Sequence, residues 1–203
     1  MSRTRHLPSQ ERKELTVRAV VELCGEQDPA RITTASIAER MKVTQGALFR
    51  HFTGKEEIWQ SVMAWIAEQV MQRLEKAVAR AETPLAILEA MFMAHIGFIT
   101  EHPGVPRLML GQLQHAEPTS ATRLVRSMLA RYRERLAAIL SKGKASGELR
   151  ADLDVEAAAT QFIGTVQGLV VQSLIDGDVT RIAEQAPGAF LLYQRGIQAG
   201  EGA

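Results

Sequence analysis

Residues 31–59 read RITTASIAERMKVTQGALFRHFTGKEEIW, and this stretch decides the fold. Thr33 or Thr34 caps a short helix whose Ile37, Ala38 and Met41 share one face. Lys42 and Val43 leave room for a tight connection only. Thr44 then caps a second short helix over residues 45–52, with Leu48 and Phe52 turned inward, and Thr53-Gly54 ends it. Two short helices joined by a tight turn make a helix-turn-helix pattern. A helix that enters a DNA major groove about 12 Å wide needs small or hydrogen-bonding side chains at its exposed start. Gln45, Gly46 and Ala47 meet that need: glutamine pairs with adenine, glycine permits close approach, and alanine touches a thymine methyl. Thr33, Thr44 and Lys55 stand at helix starts, where free backbone amides favour phosphate. Arg50 and His51 follow Phe49 on the turn nearest the DNA backbone and suit phosphate contacts.

Outward from this stretch the periodicity stays helical, with no convincing alternation of period two. Upstream, Ser9 caps a helix to about residue 27 with Val17, Val20, Val21 and Cys24 on one face, and Asp28-Pro29-Ala30 breaks it. Downstream, a stripe of Ile58, Val62, Trp65, Ile66, Val70 and Leu74 marks a helix over residues 55–81, about 40 Å long at 1.5 Å per residue. Pro84 lies in the first turn of the next helix, which ends near His102-Pro103-Gly104. A short helix over residues 105–115 follows. Pro118 opens a long one that ends in the glycine-bearing segment 141–147. Asp152 or Asp154 caps another through Ile175. The last helical stretch covers residues 180–198, with a kink or restart expected at Pro187-Gly188. The expected fold is all-α with about nine helices. Residues 1–57 form a three-helix DNA-binding domain, and residues 58–203 a helical regulatory and dimerisation domain; the two meet in one long shared helix.

Composition narrows the function. The chain has 203 residues, a formal net charge of +1 and one cysteine, Cys24, so no intrachain disulfide forms. Cys24 reads as a small core residue. The first residues are polar and basic, without the apolar run of a signal peptide. No uncharged apolar run approaches the roughly 20 residues of a membrane span, the longest being 162–175. A cytoplasmic protein without membrane contact is expected. Charge is distributed unevenly: Arg40, Lys42, Arg50 and Lys55 carry no acidic residue between them, and Arg3 and Arg5 form an arm that suits a minor groove or a polar tail. No nucleophile elbow, glycine-rich phosphate loop or paired carboxylates stand out, so no enzyme is expected. His95, His102 and His115 have uneven spacing and no supporting ligands, so neither a metal site nor a cofactor is expected.

The dense run over residues 31–59 resembles the DNA-binding signature of the TetR family of repressors. That resemblance implies an all-helical homodimer on a pseudo-palindromic operator, with Thr33, Thr34, Thr44, Gln45, Gly46, Ala47, Phe49, Arg50, His51 and Lys55 at the DNA. In the family pattern the place of Phe49 is usually tyrosine, whose hydroxyl meets a phosphate; Phe49 has none. The resemblance further implies a small-molecule effector in the C-terminal helices. Met91, Phe92, Met93, Phe98 and Met109 read either as plain core or as the wall of an apolar pocket, with His95 and Gln112 as its polar contacts. Dimerisation is expected through the last two helices. Small residues at Ala158, Gly168 and Val171 permit close approach there, and Phe162, Phe190 and Leu191 fill the remaining volume. Two segments, 31–35 and 102–107, resemble the branch that contains nucleoid-occlusion factors, which implies a DNA-bound adaptor without an inducer as the second reading.

Overall fold

Helix starts in this chain are set by short polar side chains, and the computed structural model, which describes residues 9–113, 117 and 119–200, shows most of them at work. Helix α1 (Ser9–Glu26) runs into a 3-10 turn, Pro29–Arg31, because the Asp28 carboxylate accepts the Ala30 amide at 2.9 Å. Then come α2 (Thr34–Arg40), α3 (Gln45–Leu48), α4 (Lys55–Val78), α5 (Pro84–Glu101) and α6 (Gly104–Leu113). The chain continues through α7 (Ser120–Ser146), α8 (Val155–Ile175), a second 3-10 turn at Val179–Arg181, and α9 (Ile182–Ile197). Thr83 caps α5, and Asp154 rather than Asp152 caps α8, accepting the Glu156 and Ala157 amides at 3.0 Å each. Asp152 is held instead by Arg150. The fold is all-α; among the described residues the β-structure is one isolated bridge, Leu149 to Gln198. Arg3, Arg5, His115, Pro118 and the Leu113 side chain lie outside the described part.

Contacts divide the chain into two compact units, positions 1–67 with 104–125 and positions 68–103 with 126–203. The divisions fall inside α4, between α5 and α6, and inside α7. In the first unit Val17, Val20, Val21 and Cys24 of α1 meet Ile37, Leu48, Phe52, Ile58 and Val62 in a closed core. Helix α6 packs on α1 through Gly104, where backbone meets backbone, and Arg107 reaches the Gly25 carbonyl at 3.4 Å. In the second unit α5, α8 and α9 pack together around Phe92, Tyr132, Phe162, Phe190 and Tyr193, all buried.

Helix α7 passes through Gly143 and ends at Ser146, inside the expected segment 141–147, with Gly147 at φ +77°. Gly143 is a packing residue, since a Cβ there would lie 2.6 Å from the Leu149 side chain. Helix α9 runs through Pro187 without a break; the proline and Ala183, four residues earlier, are exposed, so the carbonyl that loses its partner faces water. Two helices, Pro84–Glu101 and Val155–Ile175, are long and apolar enough to cross a membrane by length and composition, against the expectation that no stretch comes near. Both supply core residues to the second unit, which accounts for their apolar character.

Candidate nucleic-acid interface

The helix-turn-helix is built by caps at both helix starts. Thr33, not Thr34, caps α2: its Oγ1 accepts the Ser36 amide at 3.1 Å, and Ser36 Oγ accepts the Thr33 amide at 3.0 Å. The turn to α3 ends α2 in a doubly bonded stop, with the Val43 amide on the Ala38 carbonyl and the Lys42 amide on that of Glu39, both at 2.9 Å. That turn needs a left-handed residue, and Lys42 supplies it at φ +54°. Thr44 caps α3 by accepting the Ala47 amide at 3.2 Å. Regular α-helix ends at Leu48 rather than near Phe52, because the His51 amide bonds the Leu48 carbonyl and tightens the last turn. Ile37, Leu48 and Phe52 are each no more than 2% exposed and hold the two helices against α1 and α4.

Everything expected at the DNA reaches the surface. Thr33, Thr44, Gln45, Gly46, Phe49 and Arg50 are exposed; Thr34, Ala47, His51 and Lys55 are half-buried. Gln45 Nε2 donates to Thr34 Oγ1 at 2.8 Å, so these two form one unit on the outer face. A Cβ added at Gly46 would meet nothing of the protein closer than 4.0 Å, so the fold does not demand glycine there and any demand comes from the groove. His51 Nδ1 lies 3.2 Å from Ser9 Oγ, and Lys55 Nζ sits 5.6 Å over the Trp59 ring. Phe49 keeps 47% of its surface exposed without a hydroxyl to offer.

The charge pattern read from the sequence needs one correction. Arg40 is not open to phosphate: it pairs with Glu22 at 3.3 Å and with Glu26, both on α1. These acids lie 18 and 14 residues upstream, so local sequence around Arg40 hides them. Lys42 and Arg50 make no ion pair among the described residues. Behind the interface Lys13 pairs with Glu57 at 3.2 Å and lies 5.4 Å over the Phe52 ring. The Thr53 amide and hydroxyl, together with Lys13, hold the Glu57 carboxyl below its ordinary pKa, so it stays ionised and fixes the start of α4.

The residues proposed for an effector are drawn from both units. Met91 and Phe92 are fully buried on α5 of the second unit, whereas Met109 and Gln112 are half-buried on α6 of the first. Neither of two surface hollows, of about 530 Å³ by Leu23, Gln27 and Ser36 and about 430 Å³ by Met71, Leu74 and Arg131, includes any of them. His95 lies 3.4 Å from the Tyr132 hydroxyl, and desolvation pushes its pKa down to about 4. Since that value lies below the ordinary 6.5, the neutral ring's contribution is complete above pH 6.5 and is lost as pH falls to 4. At about 1.4 kcal/mol per pKa unit, the protein loses roughly 3 kcal/mol from this group across that window. Urea midpoints at pH 7 and pH 4.5 check this: His95→Gln is expected to lose less than the parent.

Of the six residues assigned to a dimer face, Ala158, Phe162 and Phe190 are spent in the core of their own unit, each 3% exposed or less. Gly168 is half-buried, while Val171 and Leu191 are 42% and 44% exposed. The most exposed large apolar side chains on these helices are Ile175 and Leu192, at 79% and 71%. Sequence reading passed over both. Ile175 lies one turn from Val171, and that spacing was the available signal. Cys24 is fully buried and its thiol is pushed up to about 12 by burial, as a core residue should be.

Residues 17–62 match the family described as bacterial regulatory proteins, tetR family, and residues 111–187 match the tetracyclin repressor-like C-terminal domain. The chain belongs to the TetR family. It is a DNA-binding transcriptional regulator and not an enzyme. Relatives of this TetR-family chain include nucleoid occlusion factor SlmA of Marinomonas sp. (strain MWYL1), 23% identical over 160 residues, which cover 79% of this chain and 81% of that one. The fold is similar to that of FadR from Bacillus subtilis in complex with stearoyl-CoA: the TM-score is 0.78 at 21% identity, covering 91% and 99% of the two chains. It is also similar to the ketosteroid regulator KstR2 of Mycobacterium tuberculosis, with a TM-score of 0.77 at 20% identity and coverage of 93% and 96%.

Proposed function

We propose that this protein is a repressor that binds a pseudo-palindromic operator as a homodimer and leaves it when a small apolar or amphipathic molecule binds. The observation that carries the DNA reading is the doubly capped α2–α3 unit, which holds Gln45, Gly46, Phe49 and Arg50 outward on a closed core. Thr33, Thr44 and Lys55 then meet phosphates, and Gln45 meets a base. Two copies join through the exposed apolar face of α8 and α9, at Val171, Ile175, Leu191 and Leu192. The two readers are spaced by one DNA turn, about 34–36 Å, or a multiple of it. The effector class is supported by the stearoyl-CoA complex of FadR and the steroid regulation named for KstR2, and by the methionine- and phenylalanine-rich interior of the second unit. DNA-bound, the protein sits on the nucleoid in the cytoplasm.

The likeness to SlmA over four-fifths of the chain favours a second reading, a DNA-bound adaptor that recruits a protein partner. Genome-wide binding of the tagged protein separates the two. A single palindrome beside its own gene supports the repressor; many sites spread unevenly over the chromosome support the adaptor.

The interface assignment has its own test, which holds for both readings. Gln45→Ala is expected to remove roughly 1–3 kcal/mol of discrimination at one base pair. Lys55→Ala is expected to weaken matched and scrambled DNA alike and to reduce the salt slope by about one. Equal effects of the two substitutions on matched and scrambled DNA overturn the assignment.

A further inference from the structure

We infer that Thr34 is a positioning residue for base recognition: its hydroxyl holds the Gln45 amide in place on the outer face of the α2–α3 unit. The inference rests on the reading that Gln45 meets a base. The two residues lie eleven apart on successive helices, and the turn between α2 and α3 brings Gln45 Nε2 to 2.8 Å from Thr34 Oγ1. Thr34 is the first residue of α2, directly after the Thr33–Ser36 capping box, so its backbone is fixed. Its branched Cβ restricts rotation about χ1, which fixes the hydroxyl in turn. Gln45, by contrast, is exposed, and this is its one side-chain hydrogen bond among the described residues.

A primary amide carries two N–H groups and one carbonyl oxygen. With one N–H given to Thr34, a second N–H and Oε1 remain. Adenine presents an acceptor at N7 beside a donor at N6, which that remaining pair matches. A threonine hydroxyl both donates and accepts, so Thr34 fixes where the amide sits, and the base edge sets which way round it faces. The effect of Thr34 therefore falls chiefly on discrimination at the base pair that Gln45 meets.

The test uses the full-length protein, the operator found by footprinting, and a set of operators with each half-site base pair changed in turn. Titrations compare the parent with Gln45→Ala, Thr34→Val, Thr34→Ser and the double variant Thr34→Val/Gln45→Ala, with circular dichroism and melting as the check on folding. Gln45→Ala is expected to abolish preference at one base pair. Thr34→Val is expected to cut preference at that same pair by about three- to tenfold, the range for one lost hydrogen bond. Thr34→Ser restores the preference, and in the double variant the valine adds nothing to Gln45→Ala. If Thr34→Val instead weakens every sequence equally, or adds its full effect on top of Gln45→Ala, the positioning role is overturned while base reading by Gln45 stands. If Gln45→Ala itself shows no position-specific effect, both readings fall together. Should Thr34→Val melt abnormally, Thr34→Ala replaces it, with the same outcomes.

Discussion

Gly104→Ala is expected to destabilise the first unit by about 3 kcal/mol, the upper end for overpacking, and to weaken operator binding with it. Helix propensity alone points the other way, since alanine is favoured over glycine by up to about 1 kcal/mol in a helix. Space decides against propensity here. A Cβ on residue 104 would lie 2.4 Å from the Gly25 amide nitrogen and the Val21 carbonyl oxygen, and 2.7 Å from the Cys24 carbonyl carbon. These are backbone atoms near the end of α1, so no flexible side chain is available to swing aside. Relief requires α6 to lift or α1 to shift, and α1 carries the Val20, Val21 and Cys24 surface on which the helix-turn-helix is seated. Urea unfolding at fixed protein concentration, paired with an operator titration, measures both effects. An unchanged midpoint would mean that α6 is not seated on α1.

The second large effect is expected from Phe162→Ala, at about 3–5 kcal/mol for an aromatic side chain removed from a closed core. Phe162 is fully buried. Its ring meets those of Phe92 at 5.4 Å, Tyr193 at 5.5 Å and Tyr132 at 6.2 Å, each near edge-on. Around the same cluster the Tyr193 hydroxyl donates to the Ala158 carbonyl at 3.1 Å, tying α9 to α8. The substitution also distinguishes two roles for Phe162. As a core residue it lowers the melting temperature by the same amount at every protein concentration. As a residue of the dimer face, its loss would shift the monomer–dimer balance first, and the melting penalty would shrink as the protein is concentrated. The first outcome is expected.

Much of the architecture is legible in the sequence because helix signals are local. Caps at Thr33, Thr44 and Asp154 act over two or three residues, and the stripe of α4 repeats with the helical period, so adjacent residues carry the information. The outer face of the helix-turn-helix follows only in part: Gln45 shares the helical face of Leu48 and Phe52 and is exposed because it opens α3. Pro187 marks where a local signal misleads: it reads as a kink or restart by type, but α9 runs on through it, with the proline on a solvated face.

The sequence by itself determined the all-helical fold and the family, since each depends on residue types within a few positions of one another. Tertiary structure alone decided that Arg40 is neutralised by Glu22 and Glu26, that Phe162 and Phe190 belong to a core, and that Ile175 and Leu192 stand exposed. It also decided that Thr34 and Gln45 are hydrogen-bonded across the turn. Each of these depends on which face of one helix meets another. An apolar or charged residue looks the same in the chain on either side of its helix, and its partner is fixed only when the helices pack.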